Sequence, residues 1–329
     1  MDVKARFEAA LASFTDKIKN DPNVLAVVVY GSFANDMVWE KSDIDVTVLV
    51  RDMKLKTTEF CVDEDGLILN VGVYKEFDFK RWLEGGLGGG FSHSLYYHAK
   101  VVYASDASLK EFIENNRKLG ADDRALSFFQ YSTYLLGDTE KIEKWLTVKD
   151  DPLYAQFWVL KAADTYANMR LLLDGKPISR EAVLKVANTE PESIRPVYEK
   201  PMQGYMSREE IQETLTFFRA FLKDNTELIK QSVKDYMADG EVRTVTNLTK
   251  HFRLDSHCIS HVFDFLAEEG IVARVTEPVK ITPKSRRAVE EVAFMYIAEI
   301  PMGQREAAPH DAPHNSSSFG HSQGREFQW

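Results

Sequence analysis

The sequence predicts an α+β protein: a mixed sheet with flanking helices, then a helical bundle, then a small module in which two helices precede a hairpin. Three observations carry this. Short β-branched runs at 24–30, 42–50 and 67–74 sit among helical stretches. From about 122 to 239 the apolar spacing is helical throughout, and from 241 to 297 the pattern changes once more. The boundaries expected from these shifts are 1–120, 121–239 and 240–299, with a tail at 300–329.

Residues 3–19 place Phe7, Ala10, Leu11, Phe14 and Ile18 at helical spacing, and Asp21-Pro22 stops that helix. VLAVVVY at 24–30 ends in Gly31-Ser32, a buried strand running into a tight loop. A short helical stretch containing Trp39 is expected next. In SDIDVTVLV, which begins at Ser42, Asp43, Asp45, Thr47 and Leu49 share one face and Ile44, Val46, Val48 and Val50 the other. Asp65-Gly66 is a hairpin turn signal leading into the third strand, LILNVGVY. A glycine-rich loop at 85–90 precedes a fourth strand at 100–104, and a helix from about 108 closes the first domain.

The segment 151–173 is apolar around most of its circumference (Leu153, Phe157, Trp158, Leu160, Ala163, Ala167, Leu171), which predicts a bundle helix buried against several neighbours. Gly175-Lys176-Pro177 ends it, and Ser179 caps the next helix. Ser207 and Glu210 form a capping box that opens a long helix to about Met237. Helices at 247–252 and 256–269 and strands at 271–275 and 279–281 follow in an order that looks like a winged helix. The tail from about 301 is rich in His, Pro, Ser, Gly and Gln without periodicity, and is expected to be disordered.

An apolar fraction of 44% over 329 residues is enough for a real core. A formal charge of −10 speaks against a surface that grips nucleic acid all over. Cys61 and Cys258 are too few and too far apart for a disulfide framework or a zinc cluster, and are read as buried free thiols. No apolar run approaches the roughly 20 residues that span a bilayer, and no signal peptide opens the chain, so a cytoplasmic protein is expected.

Gly31-Ser32, ten intervening residues, then Asp43-Ile44-Asp45 is the constellation that carries chemistry. Carboxylates at i and i+2 of a strand leave the same face with Cα atoms about 6.5–7 Å apart, so their side chains can converge on one or two divalent ions, and hard oxygen donors suit Mg²⁺. A Gly-Ser turn opening a short helix offers backbone N–H groups and a hydroxyl where phosphate oxygens bind. Burying two neighbouring negative charges is costly unless a cation pairs with them.

This pattern resembles the signature of the DNA polymerase β nucleotidyltransferase superfamily, in its minimal and aminoglycoside-type forms, over roughly 24–104. The resemblance implies a polymerase-β-type core, a nucleoside triphosphate (ATP foremost), Mg²⁺ held by Asp43 and Asp45, and transfer of a nucleoside monophosphate to a hydroxyl of a small molecule or protein. Nucleotide-binding positions would be Gly31, Ser32, Ser42, Asn70 and Lys161. The superfamily commonly carries a third carboxylate on a neighbouring strand; here Asn70, in Leu69-Asn70-Val71, stands in its place. An amide oxygen ligates Mg²⁺ weakly and takes no proton. A base would then come from Asp63, Asp65, Glu76 or Asp78, or from the helical domain. The rival reading is a catalytically weak, nucleotide-binding regulator whose C-terminal module contacts DNA or a partner protein.

Lys161, Thr165 and Asn168 fall on one side of their helix, either facing the cleft or forming a solvent stripe. The loop at 85–90 lacks the frame of a phosphate loop, and His93 and His98 after it have no metal-site spacing. Any metal binding by His310, His314 and His321 in the tail would be incidental. The helix at 256–269 has Asp255 before it, Asp264, Glu268 and Glu269 within it, and no Lys or Arg, which disfavours duplex DNA; Lys284, Arg286 and Arg287 beyond it are too few to reverse that. A homodimer is admitted; a membrane partner is not expected.

Overall fold

Val24–Tyr30 (β1) and Ile44–Val50 (β2) are β-branched at most positions and buried along almost their whole length, as strands covered on both faces must be. The computed structural model describes residues 2–35, 38–85, 95–116 and 119–297. β1 and β2 pair antiparallel, setting Tyr30 opposite Asp45 and Val28 opposite Thr47. Glu59–Glu64 (β3) and Leu67–Lys75 (β4) make a hairpin. Its turn residues Asp65 and Gly66 have φ of 53° and 77°, the left-handed pair that a twisted two-residue hairpin demands. β4 runs parallel to β2, which brings Asn70 beside Asp45. Lys100–Ala104 (β5) pairs with the far side of β1, giving the order β3-β4-β2-β1-β5.

The two-residue period sorts this sheet between two cores. Val27, Val29, Ile44, Val46, Val48, Leu69 and Val71 pack under Phe7, Leu11 and Phe14 of helix α1 (Val3–Ile18), together with Phe33 of the single-turn helix α2 (Gly31–Ala34). Ala26, Val28 and Leu49 face the other way. They meet Phe79 and Leu83 of α3 (Glu76–Gly85), Tyr96, and Leu109 and Ile113 of α4 (Ala107–Asn115). Each fully buried side chain of this kind contributes roughly 1.5–3 kcal/mol. Asp45 and Thr47 belong to this second face, at its open end.

The helical half comprises α5 (Ala121–Glu143), α6 (Pro152–Leu173), α7 (Ala182–Thr189), α8 (Arg208–Asp224) and α9 (Thr226–Met237). Beyond it lie β6 (Arg243–Thr244), α10 (Val245–Phe252), α11 (Ser256–Glu268), β7 (Val272–Val279) and β8 (Val289–Tyr296), with the small sheet ordered β6-β8-β7. Phe129, Phe218 and Val233 of the bundle share one hydrophobic cluster with Phe252, Phe263 and Phe294, so bundle and C-terminal segment are cemented by a common core. The sheet half and the helical half belong to one compact unit running to Ile297. No helix among the described residues is long and apolar enough to cross a membrane.

Several expectations are corrected. Trp39 lies outside any helix and is 61% exposed. β3 and α3 were not among the expected elements. The helix opened by the Ser207 capping box breaks at Asn225, whose amide caps the Phe221 carbonyl. The last strand is 289–296 rather than 279–281, and Ile281 is exposed. Helix α7 starts at Ala182, past Ser179. On α6, Leu153 and Phe157 face solvent instead of a neighbour. Cys61 is exposed because β3 is an edge strand, and Cys258 is half-buried; both are free thiols. Residues 86–90 of the glycine-rich loop, His93 and the tail from 298, with His310, His314 and His321, lie outside the described residues.

Candidate active site

At the end of β1 the chain turns at Gly31 with φ +74°, a left-handed conformation that favours glycine. A β-carbon there would lie 2.3 Å from Asp45 Oδ2 and 3.3 Å from its Cγ. Glycine is therefore required twice, by the backbone and by the carboxylate packed against it. Asn35 closes the turn: its side-chain amide donates to the Gly31 carbonyl at 2.7 Å, and its backbone N–H does so at 3.2 Å. Since α2 is a single turn, the turn offers local N–H groups and the half-buried Ser32 rather than a long helix dipole.

Asp43 stands exposed one residue before β2, while Asp45 is half-buried inside it. One amide nitrogen reaches both: Asn70 Nδ2 donates to Asp43 Oδ2 at 2.5 Å and approaches Asp45 Oδ1 at 3.5 Å. The two carboxylates thus converge on a single point. Burial, and then the charge of Asp43, push the Asp45 carboxyl above its ordinary value, with the Asn70 hydrogen bond opposing them. The Tyr30 phenol is pushed up to about 12 by burial and then by the charge of Asp45. Behind Asp45, the Tyr30 and Tyr96 rings stack with centroids 4.8 Å apart, and the Tyr96 hydroxyl bonds Thr47 Oγ1 at 2.5 Å. This packing fixes the strand end that carries the acid.

The donor chemistry fits a hard divalent cation. Two ionisable carboxylates meet a neutral amide, and a cation between them would relieve both the burial and the repulsion that burden Asp45. Among the described residues no group of three or more His, Cys, Asp or Glu side chains could hold a metal, and the residue paired with Asp45 on β4 is Asn70.

Gly31, Ser32, Asp43 and Asp45 line a cavity of about 750 Å³. The same cavity is also lined by Lys176, Arg180 and Lys185, from the connection between α6 and α7 and from α7 itself, with Lys176 Nζ 3.0 Å from Asp174 Oδ2. That connection is anchored from below. The Ser179 N–H donates to Asn168 Oδ1 at 2.7 Å, and the Asn168 amide donates to the Asp164 carbonyl at 3.0 Å. Asn168 is 2% exposed, so it acts on the cavity by holding the loop.

The other residues singled out in the sequence fall as follows. Ser42 does not line the cavity; its Oγ accepts from the Trp39 N–H at 3.1 Å and closes the turn that delivers Asp43. Lys161 does not line it either. Its Nζ sits 4.0 Å over the Trp158 ring, beside Asp138, whose carboxyl is pushed up to about 6 by burial against the opposing Thr165 hydrogen bond and Lys161 charge. Thr165 donates to Asp138 at 3.3 Å. None of Asp63, Asp65, Glu76 or Asp78 lines the cavity; Glu181, from the helical side, does, as does His98. Sequence reasoning missed Lys176, Arg180 and Lys185. The available signal was three cations within ten residues after Gly175 in an acidic chain.

The family model described as Polymerase beta, Nucleotidyltransferase matches residues 13–108. No curated protein matches the sequence. A solved nucleotidyltransferase-like protein from Exiguobacterium sibiricum 255-15 aligns with a TM-score of 0.60 at 15% identity, covering 88% of this chain and 99% of that one. At that identity the likeness is one of fold, and it spans the sheet and helical halves together. Spectinomycin adenyltransferase AAD(9) from Enterococcus faecialis, solved with ATP and spectinomycin, aligns at 14% identity over 64% of this chain and 98% of its own, with a TM-score of 0.31 on which nothing rests.

Proposed function

We propose that this chain, which belongs to the polymerase-β nucleotidyltransferase superfamily through residues 13–108, transfers a nucleoside monophosphate, AMP from ATP, to a hydroxyl of a small molecule or a protein. The observation that carries the reading is one cavity lined by convergent Asp43 and Asp45, by the Gly31-Ser32 turn beside them and by three cations. Asp43 and Asp45 would hold magnesium, which when bound neutralises phosphate charge and stabilises the entering and leaving oxygens. The Gly31-Ser32 turn receives the distal phosphates. Lys176, Arg180 and Lys185 neutralise the pyrophosphate end and hold it in line with the incoming hydroxyl. Asn70 orients the two acids and cannot take the hydroxyl proton. Glu181, the other described carboxylate of the cavity, is left as the candidate acceptor for that proton.

In this reading 1–120 is the catalytic unit, 121–239 the acceptor-side bundle, and 240–299 a winged-helix-like module with a structural role. The free thiols suit a reducing, cytoplasmic setting. The regulator reading keeps one observation in its favour, the amide at position 70. Calorimetry with ATP and Mg²⁺, on the parent and on the Asp43→Asn, Asp45→Asn double variant, is paired with a pyrophosphate-release assay across hydroxylated acceptors. Metal-dependent binding lost in the double variant, with turnover for some acceptor, is the expected result. Binding without turnover favours the regulator, and binding indifferent to the double variant overturns both.

A further inference from the structure

The pair His257 and His261 has chemistry that nucleotidyl transfer leaves unused. A spacing of four puts both on one face of α11, with Nε2 atoms 2.8 Å apart and ring centroids 4.0 Å apart. His261 is 8% exposed, while His257 opens to solvent. The other ring nitrogen of His261, Nδ1, lies 2.5 Å from Glu140 Oε1 on α5. A carboxylate in that position holds a proton on Nδ1, which leaves Nε2 of His261 with its lone pair turned toward His257. That lone pair is satisfied either by a proton on His257 Nε2 or by a cation shared between two Nε2 lone pairs.

We propose that His257 and His261 form a binding site for one divalent transition-metal ion of the imidazole-preferring kind, with Glu140 acting on the ion through the His261 ring. Two nitrogens each about 2.0–2.1 Å from an ion stand about 2.9 Å apart at a right angle and about 3.4 Å apart at the tetrahedral angle. The observed 2.8 Å fits adjacent corners of a square-planar or octahedral ion, which points to copper(II) or nickel(II) ahead of tetrahedral zinc. Carboxylate, imidazole and metal in line is the arrangement in which the outer partner fixes the tautomer and raises the basicity of the ligating nitrogen. No third His, Cys, Asp or Glu joins them as a ligand among the described residues, so water completes the coordination. An ion bound between the rings takes the place of the proton shared between them, and His257 then carries its own proton on Nδ1 as a neutral ligand. The site lies where α11 packs on α5, so an occupied site stabilises the joint between the bundle and the C-terminal segment.

The test uses the full chain with His310, His314 and His321 changed to alanine, so that the tail offers no imidazole. The protein is stripped with a chelator and titrated with copper(II) or nickel(II), in the absence of nucleotide, by calorimetry and, for copper, by electron paramagnetic resonance. His257→Ala, at an exposed position where circular dichroism checks the fold, is expected to remove one equivalent of ion and the two-nitrogen hyperfine signature. Glu140→Gln is expected to weaken that equivalent by about 10–100-fold. The same loss on His257→Ala is expected in the Asp43→Asn, Asp45→Asn background, which separates this site from the nucleotide cavity. Identical stoichiometry and affinity with and without His257 would overturn the proposal and leave the pair as a hydrogen bond only.

Discussion

Replacing Gly31 by alanine tests the point where backbone and chemistry depend on each other most closely. The added β-carbon would lie 2.3 Å from Asp45 Oδ2, far inside van der Waals contact, at a φ of +74°. Holding a non-glycine residue in the left-handed region costs about 1–2 kcal/mol. Forcing a methyl group into filled space costs about 1–3 kcal/mol more. The two penalties have separate origins, so the expected loss is about 2–5 kcal/mol of unfolding free energy. Asp45 is the group that can yield, by rotating away from the turn. That rotation relieves the clash and removes the carboxylate from its meeting point with Asp43, so whatever stability is recovered is taken from metal and nucleotide affinity. Urea unfolding measures the first quantity and calorimetry with ATP and Mg²⁺ the second. A variant that loses less than about 1 kcal/mol and also binds magnesium-nucleotide like the parent would refute the reasoning.

Three further outcomes are expected. Asn70→Asp places a third carboxylate beside Asp43 and Asp45 and should raise turnover, by at most the roughly 10²–10⁴-fold that a general base is worth, in full only where Glu181 takes no proton; an unchanged rate with an accepted substrate would show that position 70 does not limit proton transfer. Asn168→Ala removes the buried anchor of the Ser179 loop, at a cost of about 1–3 kcal/mol for an unmade buried hydrogen bond. It should also weaken nucleotide binding although residue 168 does not line the cavity, and parental nucleotide affinity would sink that link. The Asp138 carboxyl sits at about 6, above its ordinary 3.8. The fold therefore favours its protonated form, a contribution complete below the ordinary value and lost as pH rises through about 6. Asp138→Asn should accordingly gain up to about 3 kcal/mol above pH 7 and little below pH 4, read from urea midpoints across pH.

What was legible in the sequence was local. β1 and β2 could be placed because a run of β-branched residues on a two-residue period has few other uses. Gly31 could be singled out because a strand running into Gly-Ser signals a turn, and the Ser207 capping box because its partners lie within one helical turn. The break at Asn225 escaped because apolar spacing continues through it and only the packing of α8 and α9 separates them. The last strand was misplaced for a similar reason. Ile281 looks apolar in sequence but faces solvent, whereas the strand with two glutamates side by side, VEEVAFMY, is the one whose Phe294 reaches the shared core, with Ala293 also buried.

The sequence alone determined that two aspartates one residue apart follow a glycine-serine turn, and that Asn70 interrupts the apolar run of the next expected strand. Those are properties of neighbours along the chain, governed by strand period and turn chemistry. Only the tertiary structure decided that Lys176, Arg180 and Lys185 line one cavity with those aspartates, while Lys161 stacks on Trp158 elsewhere. Nothing within a helix specifies which of its charges will meet a sheet more than a hundred residues earlier. That pairing follows from how apolar faces pack, and the buried Asn168 holds the backbone between them at Ser179.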